Sequence, residues 1–113
     1  MSSELPIASW KDRLLWLIGR RIGFEVSGDS MLPALKTGDR VLVAPRQTLV
    51  AGDIAIANHP YKKGVRMIKR VASIDPDANF FLIGENKTES TDSQTFGAIP
   101  AKDILGKVVA RLN

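Results

Sequence analysis

Three segments of the chain carry residues able to do chemistry together. The first is Ser27-Gly28-Asp29-Ser30-Met31-Leu32-Pro33. Gly28 lets the backbone approach a substrate closely, and Pro33 holds the chain after the turn. Such a turn presents the Ser30 hydroxyl and can aim its backbone N–H at a developing oxyanion. The second is Val65-Arg66-Met67-Ile68-Lys69-Arg70-Val71. Read as a strand, its side chains alternate, so Val65, Met67, Lys69 and Val71 share one face. Lys69 is then the one ionisable group on an apolar stripe. Burial of that stripe would disfavour the ammonium and give a neutral amine able to take a proton from a hydroxyl. The third is the polar stretch 84–97, which supplies hydroxyls and carboxylates that could fix such a lysine. Each segment alone has a plain alternative: a surface turn, a lysine whose head reaches water at a sheet rim, and a solvated loop.

The elements around them read mainly as strands. Gly23–Val26, Arg40–Ala44, Ile54–Ala57, Val65–Ile74, Phe80–Ile83 and Ile104–Leu112 are apolar or alternating runs. They are separated by Gly-Asp and Asp-Pro turns, the pattern of an all-β domain of short antiparallel strands. Residues 1–7 read as frayed. Ser9 can cap a short helix with Asp12 three residues on, placing Trp10, Leu14, Leu17 and Ile18 on one face. That face suits packing on the domain, the reading favoured here. The second reading is docking on a membrane surface or partner through residues 10–21. The chain thus divides into an N-terminal segment, residues 1–22, and a compact β domain, residues 23–113.

Composition narrows the function. The 113 residues suit one domain, and 44% of them are hydrophobic, as in an ordinary globular protein. There is no cysteine, which excludes disulfides, thiolate metal sites and a cysteine nucleophile and fits a reducing, cytoplasmic compartment. The lone His59 lies in a loop reading, without partners for a metal site, so no metal or cofactor is expected. A Ser-His-Asp triad built on His59 is a weak alternative. The net charge of +4 comes from scattered Lys and Arg residues, a soluble basic surface rather than a nucleic-acid interface. No apolar run reaches the roughly 20 residues that span a bilayer.

The three segments occur in order, and together they resemble the type I signal peptidases. Ser27 to Leu35 resembles the nucleophile motif, Gly52-Asp53-Ile54-Ala55-Ile56 the following strand, and Ile68-Lys69-Arg70-Val71 the lysine-base motif. Gly84-Glu85-Asn86 with Ser90-Thr91-Asp92-Ser93 and Phe96-Gly97 resembles the final motif. The resemblance implies a serine endopeptidase in which Ser30 attacks and Lys69 is the general base. Ser90 would orient the lysine, and Met31, Pro33 and Asp92 would be structural near the site. The Ser30 N–H would serve the oxyanion hole. Gly28 stands where some members carry a serine donor, so only backbone can act there. Leu32 and Ile54 are candidate walls of a substrate pocket. Glu85 replaces a usual aspartate and Ala34 a usual threonine. Gln94 replaces an arginine that commonly pairs with the aspartate at position 92, so that pair cannot form.

Without a membrane anchor or large inserted β domain, the chain resembles most the compact maturation proteases of nickel-type superoxide dismutase. The implied partner is a precursor protein, from which a short N-terminal extension would be removed. Two alternatives are a self-cleaving domain of the SOS-repressor type and a catalytically silent docking module. The Ala-Gly pair, Ala51-Gly52, lies after Ser30, which favours cleavage in trans.

Overall fold

The computed structural model describes residues 5–28, 30–45, 47–86 and 92–113, the Thr95 side chain excepted. Helix α1 spans Trp10–Leu17, and strands follow at Ile22–Glu25 (β1), Arg40–Ala44 (β2), Ile54–Asn58 (β3), Arg66–Ile74 (β4) and Asn79–Ile83 (β5). A single-turn helix α2, Ser93–Phe96, a short strand β6, Ile99–Pro100, and a 3₁₀ turn at Ala101–Asp103 lead into the last strand β7, Ile104–Arg111. The expected all-β class and the α1 cap hold: Ser9 Oγ accepts from the Asp12 N–H at 3.2 Å, and Asp12 accepts from the Ser9 N–H at 3.1 Å.

All pairings between these strands are antiparallel, in the order β1-β2-β7-β3-β4-β5-β6. The register breaks at Leu42/Val43, Ile56/Ala57 and Val71/Ser73. An extra residue at each break raises the local twist and curls the sheet. Curling lets β3 and β4 bury side chains on both faces. Ile54, Ile56 and Ile68 join a cluster with Val26, Met31 and Leu35, while Ala55, Ala57, Met67 and Val71 join a second with Leu82 and Ile99. Val65, expected on the Lys69 stripe, precedes β4 and is exposed.

Two expectations are corrected. Residues 5–7, within the stretch read as frayed, are held in place: Ile7 bridges Arg111, the Arg111 N–H donates to Pro6 O at 2.8 Å, and next to them the Ala8 N–H donates to Arg111 O at 2.7 Å. Leu5 and Ala8 add apolar burial that composition alone did not reveal. Second, α1 does not pack its apolar face on the domain. It contains no buried residue, and Leu17 is 82% exposed. Trp16 lies against Gly23, where a side chain would meet the indole at 3.3 Å.

Candidate active site

Ser30 follows β1 in a turn anchored from both sides. Val26 closes its base, donating to Asp39 O at 2.8 Å and accepting from the Gly38 N–H at 2.9 Å. Gly28 has φ of +89°, a conformation that favours glycine, and its carbonyl accepts from Thr37 Oγ1 at 2.9 Å. Next to Ser30, Met31 is fully buried and Leu35 nearly so. Met31 anchors the turn in the core, while Ser30 beside it is partly exposed and lines the cleft. Asp39 is buried under this turn, accepts from the Lys36 N–H at 2.9 Å and pairs with Lys36 Nζ at 3.0 Å. Burial opposes its charge, but these Lys36 contacts hold its carboxyl below the usual value.

Lys69 sits at the middle of β4, paired with Ala55 of β3. Paired residues of an antiparallel ladder project to the same side, so the small Ala55 leaves room beside the long lysine. Lys69 is 5% exposed. Burial pushes its amine below the ordinary lysine value, against the pull of the Asp92 carboxylate, which raises it. A cleft of about 140 Å³ is lined by Phe24, Ser27, Ser30, Arg66, Met67, Ile68 and Lys69. Ser30 and Lys69 therefore open onto one space, where a neutral amine can act as a base toward a hydroxyl. Phe24 and Arg66 were not singled out in the sequence. Their signal was the register: Phe24 leads into the serine turn, and Arg66 begins the lysine strand.

The other motif residues fasten these two segments together. Arg70, beside Lys69, donates from Nη1 to Gly52 O at 2.7 Å and from Nη2 to Glu85 Oε1 at 2.7 Å. The Gly52 N–H donates to Val71 O, and the Val71 N–H to Asp53 O, both at 2.8 Å. The Asn86 N–H donates to Ser30 O at 2.8 Å. Thus a chain of contacts runs from the Gly-Asp turn through Arg70 and Glu85 to the backbone of Ser30. The missing arginine at position 94 is answered differently from the expected pair. Asp92 is buried, accepts from the Gly84 N–H at 2.9 Å, and caps α2 through the Gln94 N–H at 3.0 Å. Ser93 Oγ accepts from the Leu82 N–H at 2.9 Å. Ser90 and Asp29 lie outside the described residues.

Some candidates fall elsewhere. Ile54 is in the core, and neither it nor Leu32 lines the cleft. Pro33 follows Leu32 within the serine turn. His59 Nδ1 accepts from the Tyr61 and Lys62 N–H groups, both at 3.1 Å, and its ring lies 5.3 Å from Phe96. It is a loop brace close enough to Lys69 for that charge, after burial and Lys62, to lower its own pKa. Among the described residues no cluster of three or more His, Cys, Asp or Glu could hold a metal.

The sequence has relatives among known proteins. Subunit 1 of the mitochondrial inner membrane protease of Xenopus tropicalis is 28% identical over 109 residues, spanning 76% of this chain and 65% of that protein. A probable signal peptidase I-1 of Synechocystis is 26% identical over 136 residues, spanning 76% of this chain and 68% of that protein. The yeast subunit 1, from Saccharomyces cerevisiae, is 32% identical over 78 residues, spanning 67% of this chain and 36% of that protein. The chain thus covers less than two thirds of the Xenopus and yeast relatives. The profile of the Peptidase S24-like family matches residues 16–109, from α1 through nearly all of β7 and across every segment that builds the cleft. The chain belongs to the Peptidase S24-like family.

Proposed function

We propose that the chain is a serine endopeptidase that cuts a precursor protein, with Ser30 as nucleophile and Lys69 as general base. The observation that carries this reading is an almost fully buried lysine, its pKa lowered by desolvation, opening onto the same small cleft as Ser30. Neutral Lys69 takes the Ser30 proton as Oγ attacks the scissile carbonyl. The Ser30 N–H supplies a backbone donor to the oxyanion. The lysine then passes its proton to the leaving amine as the peptide bond breaks. Water, deprotonated by the same amine, attacks the acyl-serine ester and frees the new carboxylate and Ser30. Ser90 is proposed to orient the lysine, and Asp92 supports the segment around it.

Membership of the family and likeness to signal-peptidase relatives support a protein substrate. A nickel superoxide dismutase precursor, losing a short N-terminal extension, is the specific substrate proposed. The test is mass spectrometry of that precursor after incubation with the purified chain. The expected product is the shortened dismutase. Ser30→Ala and Lys69→Ala should each lower the cleavage rate at least ~1,000-fold, since removal of one member of a nucleophile–base unit costs that order. If both variants process the precursor at the wild-type rate, the peptidase reading fails. If the wild type cleaves other proteins but leaves this precursor intact, the substrate alone is wrong.

A further inference from the structure

Outside the cleft, the largest unexplained feature lies where α1 turns into β1. Trp10, Leu14, Leu17 and Ile18 follow helical spacing on one face, and Ile22 opens β1 just beyond the turn that ends the helix. All five are exposed, Trp10 at 71%, Leu17 at 82% and Ile18 at 61%. A face of this kind on a water-soluble surface costs free energy and marks a contact with something apolar. Gly19, with φ of +82°, lies in the turn that follows the helix, and Arg20 and Arg21 come directly after it. There they line an open cavity of about 660 Å³ together with Gly19, Ala44, Pro45 and Gln47. Arg21 Nη1 donates to Arg20 O at 2.9 Å, yet its Nε is buried with no hydrogen-bond partner among the described residues. A guanidinium carries five N–H donors, so Arg21 keeps donors to offer an anion in the cavity it lines.

We propose that α1 and the Arg20–Arg21 cavity form one docking surface for an anionic lipid bilayer. The apolar face enters the headgroup boundary, and the cavity receives the phosphate of an acidic lipid. Charge complementarity selects this occupant over an apolar protein groove. Across residues 10–21, Lys11, Arg13, Arg20 and Arg21 stand against the single acid Asp12. Basic residues flanking an apolar helical face are the arrangement that binds anionic interfaces. The helix lies on such a surface rather than crossing it, since no helix among the described residues is long and apolar enough to span. Ile22 and Phe24 alternate with Gly23 on β1 and so project to the same side. Docking through α1 and Ile22 would therefore bring the Phe24 wall of the cleft toward the bilayer.

The test needs no assay of the reaction. The full chain is mixed with vesicles of pure phosphatidylcholine, or of phosphatidylcholine with roughly 30% phosphatidylglycerol as the anionic component. Binding is read by sedimentation and by tryptophan emission. The expected result is binding to the anionic vesicles with a blue shift, at least about tenfold weaker on neutral vesicles and weakened by salt. Leu17→Glu should abolish it, and this exposed position leaves the core untouched. The Arg20→Gln/Arg21→Gln double variant should weaken it about tenfold while keeping the wild-type circular dichroism. Equal binding to neutral and anionic vesicles, or unchanged binding by the double variant, overturns the proposal. So does thermal stabilisation by inorganic phosphate without vesicle binding, which marks a site for a free anion. Concentration-dependent dimerisation lost in Leu17→Glu, again without vesicle binding, assigns the face to a second copy and overturns it too.

Discussion

At the scale of single residues, Lys69 is held in conflict. A folded protein gains by removing its methylenes from water and loses by desolvating its charge. Its folded pKa lies below the ordinary 10.5, so the folded state binds fewer protons than the unfolded one between those two values. Stability then rises with pH through that window and carries the full penalty below it. Lys69→Met, which keeps most of the volume and removes the charge, should raise stability by roughly 1–2 kcal/mol near neutral pH. The gain should shrink as pH approaches 10.5, measurable by urea unfolding at several pH values. A gain independent of pH would mean the amine is not charged at a cost. This conflict was legible in the alternation of β4, where a lysine interrupts buried Met67 and Val71. Its carboxylate neighbour was legible only through the family resemblance: Asp92 lies 23 positions along the chain, and no local pattern by itself brings it near the lysine.

The elements show how the motifs are joined. Arg70 looks, in sequence, like one of several scattered cations. In the structure its guanidinium ties the Gly52 carbonyl to the Glu85 carboxylate, with both side chains partly shielded from water. Glu85 in place of a shorter acid reaches Arg70 at 2.7 Å. Because Asn86 bonds the Ser30 carbonyl, loosening Glu85 should disturb the nucleophile turn more than the fold. Arg70→Ala and Glu85→Ala should each lower kcat, and a double-mutant cycle on stability should give a coupling of about 0.5–2 kcal/mol. Purely additive variants would remove the bracket from the account. The strands themselves were readable because turn residues punctuate short apolar runs: Arg40–Ala44 has the expected bounds, and the others shift by one residue or so. Helix α2 and β6 were not expected. The single turn of α2 rests on the Asp92 cap and on Leu82 bonding to Ser93, a partner 11 residues away.

The whole molecule depends on a sheet that curls tightly enough to bury β3 and β4 on both faces. Gly106 of β7 sits at the tightest approach. A side-chain carbon there would stand 2.7 Å from Val43 Cγ1 and 2.8 Å from the Ala44 carbonyl. Gly106→Ala should therefore destabilise the fold by about 1–3 kcal/mol, seen as a lower melting temperature in calorimetry. An unchanged melting temperature would show that β2 and β7 can separate freely. Sequence did not flag this glycine, because its constraint comes from a strand more than 60 positions away. Nor did it place residues 5–8 against β7, or free the apolar face of α1 from the domain. Helical periodicity identifies such a face, while its occupant depends on tertiary geometry.

The proposed Ser30–Lys69 peptidase requires Lys69 to give up its proton more readily than a solvated lysine. Carbon-13 labelling of the lysine Cε positions and NMR titration, with Lys69→Met to assign the signal, measures it directly. Lys69 should lose its proton below the ordinary 10.5 of a solvated lysine. A Lys69 amine that titrates at or above that value would contradict it.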